Sequence, residues 1–163
     1  ATKKCLQECT AGYYKAAKVL VAESYNFGVC EKCNQECGTC DVVPGNCTSC
    51  KWVANDTSQQ YYLLGNTCYK YGQCPSGFFS DMTNKLCSNC TLAMVGCLTC
   101  LSINNCTQCN TTADYYLFTN ETTSLSKCLT PTQIPKGYLL INGTIQKCAQ
   151  FCTDCSVSTT NCT

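Results

Sequence analysis

Residues 33–50 read CNQECGTCDVVPGNCTSC and place five cysteines in eighteen residues. We call this figure the hub of a repeat. It returns from Cys90 to Cys109 and begins again at Cys148, so the first cysteines of the three hubs are separated by 57 and 58 residues. A fixed period of this size is typical of repeat arrays, in which each unit contacts mainly its neighbours. We therefore predict a small disulfide-rich fold, an elongated rod of tandem cysteine-rich repeats with short β-fingers and little helix.

The period divides the chain into four predicted segments. Residues 1–32 form a partial module with a β-finger, and residues 33–89 form the first cysteine-rich repeat. Residues 90–147 form the second repeat, and residues 148–163 begin a third, truncated repeat. Each complete repeat therefore consists of a hub followed by the segments that we expect to form its fingers.

Short strands are predicted within the fingers. Gly12 and Gly77 each precede two aromatic residues, which indicates a tight turn that leads into a short strand. The apolar runs Tyr61–Leu64 and Tyr115–Phe118 are predicted strands, and Asn55–Asp56 marks a turn before the first of them. Within the hubs, closely spaced cysteines leave room for strands of only about two or three residues.

The composition favours disulfides over a large apolar core. Leu, Ile, Val and Phe together number 30 of the 163 residues, a small share for a soluble chain that must offset its conformational entropy. Cysteine numbers 21, a proportion typical of disulfide scaffolds. Because disulfides persist in secreted proteins and are rare in the reducing cytosol, we predict an extracellular or cell-surface location.

Zinc is the competing use of these cysteines. Seven C-x2-C pairs are present, and such a pair is a recognised zinc signal. However, the chain contains no histidine, and the pairs follow one another closely. Together with the glycosylation sequons described next, these features favour disulfides, so we predict no metal site.

Asn-x-Thr sequons occur eight times, several times the number that chance would give. Such sequons accept N-linked glycans when a chain passes through the secretory pathway, so we expect N-linked glycans and no other cofactor. Three of the eight immediately precede the fourth cysteine of a hub. One glycan per repeat at that position would form a row along the array. The alternative is that the spacing is a coincidence of an Asn- and Thr-rich composition. The eight asparagines are Asn46, Asn55, Asn89, Asn105, Asn110, Asn120, Asn142 and Asn161.

Charge and motif content argue against several classes of function. The net charge is +1 and every basic residue is lysine, so neither arginine forks nor a basic patch favour nucleic acid. The longest aliphatic run, Val19–Ala22, is too short to span a bilayer, and no membrane insertion is expected within this segment. With no histidine to act as a base and no recognisable carboxylate motif, we predict no catalytic residues and no enzyme activity.

Comparison of the repeats suggests two of the disulfides. In the third copy, the positions of Cys74 and Cys87 are occupied by Ile134 and Ile145, so both cysteines are lost together. The simplest explanation is that they are partners, and that an Ile134–Ile145 contact replaces the bridge. Applied to both modules that have these cysteines, the inference gives Cys74–Cys87 and Cys9–Cys30.

These residues resemble furin-like cysteine-rich repeats, which are found in growth-factor receptor ectodomains and in the surface antigens of ciliates. The resemblance is greatest to the ciliate antigens. The hub spacing, a tyrosine-bearing loop to a further cysteine, and the sequence CPSGFF from Cys74 carry the resemblance, which covers nearly the whole chain. It implies first-to-third and second-to-fourth pairing in each hub, then one bridge that closes each finger. The second copy departs from the pattern, with six residues between its first two cysteines and five between its third and fourth. The implied pairs are Cys33–Cys40, Cys37–Cys47, Cys50–Cys68, Cys90–Cys100, Cys97–Cys106, Cys109–Cys128, Cys148–Cys155 and Cys152–Cys162.

Cys5 has no partner within the chain in this scheme. It occupies the place of Cys68 and Cys128, whose implied partners lie upstream. One explanation is that the chain is a piece of a longer array that holds the partner. The other is a head-to-tail assembly in which Cys5 bridges to a neighbouring chain. We therefore expect either continuation of a longer repeat chain or self-association.

Two functions are compatible with these features. The first is an extracellular structural glycoprotein, a disulfide-stapled and N-glycosylated repeat rod in a cell-surface coat or extracellular filament. The second is a ligand-binding cysteine-rich module of a receptor ectodomain. The second function predicts an apolar patch on one face that carries no sugar.

Overall fold

The computed structural model describes residues 8–16 and 29–163, and the predictions for Cys5 and Val19–Ala22 fall outside these residues. The described chain consists of short antiparallel hairpins joined by turns. In chain order the strands are β1 Tyr13–Ala16, β2 Val29–Lys32, β3 Cys37–Cys40, β4 Cys47–Cys50, β5 Tyr61–Leu64, β6 Thr67–Lys70, β7 Phe78–Asp81, β8 Leu86–Asn89, β9 Cys97–Ser102, β10 Asn105–Cys109, β11 Tyr116–Thr119, β12 Ser126–Leu129, β13 Tyr138–Ile141 and β14 Thr144–Lys147.

Each hairpin is a two-stranded sheet except in one region, where β6, β5, β8 and β7 form a four-stranded sheet in that order. Helix is scarce among the described residues. It comprises one α-helical turn, α1, at Cys90–Ala93 and three 3-10 turns at Thr57–Gln59, Thr111–Ala113 and Pro131–Gln133. No helix in the described part of the chain is long and apolar enough to cross a membrane. These elements confirm the predicted disulfide-rich fold of short β-fingers with little helix.

The described residues form two compact units. The first extends to Cys74 and includes Ser80–Cys87, and the second comprises Pro75–Phe79 and Ser88–Thr163. Each unit has its own buried cluster, and cystine sulfurs supply most of both. In the first, Tyr14 and Cys68 join the first hub; in the second, Phe79 and Cys128 join the second hub. Disulfides thus occupy the place that aliphatic side chains fill in an ordinary core.

The predicted glycine turns are confirmed and recur in all three copies. Gly12, Gly77 and Gly137 have φ values of +84°, +86° and +83°, and each directly precedes a strand. The carbonyl oxygen of each glycine accepts a hydrogen bond of 2.8–2.9 Å from the amide of the first hub cysteine. Glycine is favoured here because an L side chain is strained at positive φ. This bond ties the start of each finger strand to the hub that follows it.

The hub strands are longer than predicted: β3 and β4 have four residues, β9 has six and β10 has five. The prediction of two or three residues was wrong because the cysteines themselves belong to the ladder. Residues three apart on a regular strand point to opposite faces, yet Cys37 and Cys40 are both buried. The β3–β4 and β9–β10 pairs both contain register shifts. A bulge in the strand allows two cysteines that are three residues apart to lie on the same side of it.

The predicted strand at Tyr61–Leu64 is confirmed, and so is the turn at Asn55–Asp56, where Asn55 has a φ of +65°. In the second copy the strand starts one residue later than predicted, at Tyr116. Tyr115 instead precedes the strand and packs its ring against Gly96 and the second buried cluster. This packing between residues nineteen positions apart, rather than local strand propensity, sets the start of β11.

Candidate functional site

The disulfide framework is the first element of the candidate site. All ten pairs expected from the repeats and the resemblance are bonded in the structure, with Cα–Cα distances from 5.2 to 5.9 Å. These distances lie in the usual range for disulfides. Each hub is held by two crossed bridges, and a third bridge closes each finger that follows the first two hubs. The backbone around the hubs is therefore fixed by covalent bonds.

The second hub adopts the same crossed pairing despite its different spacing. The six residues between Cys90 and Cys97 include α1, which takes up the additional length. Asn89 caps this helical turn, because its Oδ1 accepts hydrogen bonds from the amides of Thr91 at 2.9 Å and Leu92 at 3.2 Å. The change in spacing is thus absorbed locally, and the bridges stay in register.

Three buried sulfur atoms in the second unit lie close enough together to resemble a metal site. The Sγ atoms of Cys97, Cys106 and Cys128 lie within 4.8 Å of one another, and those of Cys106 and Cys128 are 3.2 Å apart. However, Cys106 is bonded to Cys97, and Cys128 is bonded to Cys109. A zinc ligand must be a thiolate, and a disulfide sulfur carries no such charge. The cluster is two disulfides packed side by side.

The eight sequon asparagines are the second element of the site, and none of them is buried. All eight lie within the described residues, at turns, strand ends or the chain end. Four are exposed and four are half-exposed. The exposed ones are Asn55, Asn120, Asn142 and Asn161, and the half-exposed ones are Asn46, Asn89, Asn105 and Asn110.

Several of these side chains use only the oxygen of the amide in the folded protein. Asn120 Oδ1 accepts from the amides of Thr122 at 2.9 Å and Thr123 at 3.1 Å. Asn46 Oδ1 accepts from Asn66 Nδ2, and Asn89 Oδ1 caps α1. An N-linked glycan is attached through Nδ2 and leaves Oδ1 as an acceptor. These hydrogen bonds are therefore compatible with a sugar on the same residue.

A polar and aromatic cluster forms a third element in the first unit. Tyr62 is fully buried, and its hydroxyl donates a hydrogen bond of 3.1 Å to Gln60 Oε1, which is also buried. Burial raises the pKa of the Tyr62 phenol above its ordinary value of 10.0. The Trp52 ring meets Tyr62 edge-on with centroids 5.7 Å apart, and Lys85 Nζ lies 5.0 Å from the centre of the Trp52 ring.

Sequence reasoning did not find this cluster. Trp52 is the single tryptophan of the chain, which was the available signal, but its partner Lys85 lies on another hairpin. The parallel pairing of Leu63 with Leu86, together with the hydrogen bond from the Leu63 amide to the Lys85 carbonyl oxygen at 3.2 Å, brings that hairpin alongside.

We expect Tyr62→Phe to lower the free energy of unfolding by about 1–2 kcal/mol, because it leaves the buried Gln60 oxygen without its donor. Urea unfolding followed by circular dichroism measures the change. Tyr116→Phe is the matched control, since its hydroxyl also bonds to a residue two positions earlier, Asp114, but in an exposed setting. Equal losses for the two variants would contradict the expectation.

The second hub carries exposed aliphatic side chains, which sequence reasoning also missed. They are Leu92, Val95, Leu101 and Ile103, with exposed fractions of 90%, 71%, 70% and 56%. They lie in the sequence between the sequons Asn89 and Asn105. Exposed apolar groups that form a contiguous patch mark interaction surfaces, which makes these residues the basis of a second candidate function.

The fold and these elements define a disulfide-rich module of β-finger repeats. Over 136 residues the chain is 31% identical to cysteine repeat modular protein 2 of Tetrahymena thermophila, and the aligned region covers 78% of this chain and 6% of that protein. Over 154 residues it is 28% identical to the human extracellular matrix organizing protein FRAS1, and the aligned region covers 94% of this chain and 3% of that protein. No family model and no solved structure matches the chain.

These similarities agree with the resemblance to furin-like cysteine-rich repeats. The chain spans only a few per cent of the length of the curated relatives that it matches. Neither relative's name describes an enzyme, and the human name refers to the extracellular matrix. Together with the ten disulfides, they support an extracellular cysteine-rich module.

Proposed function

We propose that this module belongs to an extracellular structural glycoprotein, in which a disulfide-stapled repeat segment carries N-linked glycans in a cell-surface coat or extracellular filament. The observation that carries the proposal is that none of the eight sequon asparagines is buried, on a backbone that ten disulfides hold in place. Sugars on such a scaffold hydrate the surface and shield the backbone from proteases. The disulfides keep the segment folded with little apolar core.

The glycans would be attached by ordinary secretory chemistry. Asparagine Nδ2 forms a bond to C1 of the first N-acetylglucosamine and loses a proton, while the pyrophosphate of the lipid-linked donor leaves. At Asn46, Asn89, Asn105 and Asn161 the middle residue of the sequon is a cysteine that forms a hub disulfide. Closure of the bridge competes with glycosylation there, so we expect lower occupancy at these four positions than at Asn120 or at Asn142.

Intact-glycopeptide mass spectrometry of the secreted chain, combined with electron microscopy of the native material, tests the proposal. Glycans at most of the eight positions, together with filaments or a continuous coat, are the expected result. Bare sequons throughout would contradict the glycoprotein, and isolated short particles in native material would contradict the coat or filament.

A second candidate, a ligand-binding module of a receptor ectodomain, is favoured by the exposed aliphatic residues at the second hub. A receptor face would be free of sugar at the flanking Asn89 and Asn105 while the other sequons are occupied. The same glycopeptide map distinguishes the two functions. Leu101→Asp, which places a charge in the patch, would then abolish ligand binding and leave secretion unchanged.

Cys5 supplies the proposed connection to further protein. We expect it to be bonded outside residues 1–163, either to an earlier part of a longer chain or to a neighbouring molecule. Non-reducing gels of the isolated segment should show covalent oligomers that Cys5→Ser removes, if the head-to-tail assembly is correct. Disulfide mapping that places Cys5 in a bond within residues 1–163 would contradict both connections.

A further inference from the structure

The sequon at Asn55 differs from the other seven in its neighbourhood. Trp52 precedes Asn55 by three residues, whereas the corresponding residues before the other sequons are aliphatic, serine or threonine. Trp52 is also the single tryptophan of the chain. Among the eight sequons, Asn55 is therefore the one with an aromatic residue three positions earlier.

A tight turn of residues 53–56 directly follows Trp52 and contains Asn55. The amide of Asp56 donates to the carbonyl oxygen of Val53 at 3.5 Å, and Asn55, the third residue of the turn, has a φ of +65°. Asp56 Oδ1 then accepts from the amide of Ser58 at 3.0 Å, which starts the 3-10 turn. Trp52 directly precedes this turn, and three residues of chain span at most about 11 Å, a distance that the Asn55 side chain and one attached sugar can bridge.

The asparagine is available for modification. Its side chain is exposed and makes no hydrogen bond to any residue in the described ranges 8–16 and 29–163. Thr57, which completes the sequon, is exposed as well. A sugar on Asn55 Nδ2 therefore displaces no existing contact.

The tryptophan, in contrast, is held firmly. Its ring packs edge-on against buried Tyr62, and Lys85 Nζ lies over its face. The neighbouring Val53 carbonyl oxygen accepts from Gln60 Nε2 at 3.3 Å, so the backbone beside the ring is also anchored. Trp52 is nevertheless only half-buried, and the remainder of the indole faces solvent.

We propose that the first N-acetylglucosamine of a glycan on Asn55 packs its C–H face against the solvent-facing part of the Trp52 indole. The inference rests on the proposed function, because it needs Asn55 to be glycosylated. The polarised C–H bonds of a sugar carry partial positive charge, and the face of an aromatic ring is negative. Because the turn and the ring are already ordered, the contact costs little conformational entropy.

Tryptophan fluorescence tests this contact directly, because all of the signal comes from Trp52. The secreted glycoprotein is compared with the same protein trimmed by an endoglycosidase, which leaves one N-acetylglucosamine on each occupied asparagine. We expect the emission maximum and the acrylamide quenching constant to be the same in both. In Asn55→Asp, which has no sugar at this position, the quenching constant should rise roughly twofold as the covered part of the ring becomes accessible.

Asn142→Asp is the matched control, since Asn142 also has a positive φ, at +49°, and is preceded by Leu139 rather than an aromatic residue. Aspartate tolerates this backbone conformation, so neither variant should disturb its turn. Loss of the sugar at Asn142 should leave quenching unchanged. Glycopeptide mapping separates the failures: a bare Asn55 overturns this inference together with its glycan premise. An occupied Asn55 whose loss leaves quenching unchanged overturns the contact alone.

Discussion

Gly96→Ala is expected to lower the free energy of unfolding of the second unit by about 3 kcal/mol. A methyl group added at Gly96 would lie 2.3 Å from two ring atoms of Tyr115, and the residue has a φ of +77°. The ring cannot easily move, because Tyr115 packs on the buried cystine cluster and its amide donates to Asn110, which in turn donates to the Gly96 carbonyl oxygen. The cost combines steric overlap with backbone strain. Denaturant unfolding under non-reducing conditions measures it.

Gly143→Ala separates the two contributions. Gly143 lies in the same unit and has the same φ of +77°, but nothing lies within 4 Å of an added methyl group. The Gly143→Ala variant should therefore lose only the free energy of unfolding that comes from backbone strain, about 1 kcal/mol. In a Tyr115→Ala background, Gly96→Ala should likewise fall to this smaller cost, since the clash has been removed. A full-sized loss in that background would refute the assigned contact.

Removal of a buried hub disulfide is expected to have the largest effect of all. Cys90 and Cys100 are both buried, with exposed fractions of 0% and 9%. Replacing both with alanine removes the chain constraint, worth about 3 kcal/mol for a loop of this size. It also leaves a cavity in the second cluster that costs about 2 kcal/mol more. We expect the variant to be secreted poorly and to unfold at much lower urea concentration.

The disulfide between Cys152 and Cys162 supplies the matched control. Its sequence separation is 10, the same as for Cys90 and Cys100, so the two loops have the same entropy of closure. Both pairs also include the middle residue of a sequon, Cys90 or Cys162. Cys162 is exposed, however, so its removal leaves no cavity. If the two double variants lose equal stability, the contribution assigned to packing is wrong.

Much of the fold could be predicted because the chain holds several copies of one repeat, and the copies can be compared with one another. The joint replacement of Cys74 and Cys87 by isoleucines in the third copy pointed to one bridge, and that bridge is present in the structure. The glycine before each aromatic pair could be recognised because the positive φ that it adopts is a property of the turn itself. Sequon positions follow from three consecutive residues and need no fold at all.

The interactions that were missed join residues distant in sequence. Lys85 reaches the Trp52 ring from thirty-three residues away, and no local pattern connects the two. The hub strands were predicted too short because the closely spaced cysteines were expected to limit them, whereas the cysteines belong to the strands. Alternation along a regular strand cannot place both members of a C-x2-C pair inside. A register shift against the partner strand is needed, and it depends on both strands together.

By itself, the sequence determined the period and the turns that begin the fingers, since both follow from residue type and spacing, and its cysteine content predicted an extracellular location. Tertiary structure alone decided how the hubs are filled. In the second copy it placed Tyr115 over Gly96, and in the first it buried Tyr14 against the hub cysteines. The reason is that this chain has few aliphatic side chains for a core, so a few aromatic residues pack against the cystines of the first two hubs. Which of them does so is set by contacts between hairpins rather than by the residues next to it.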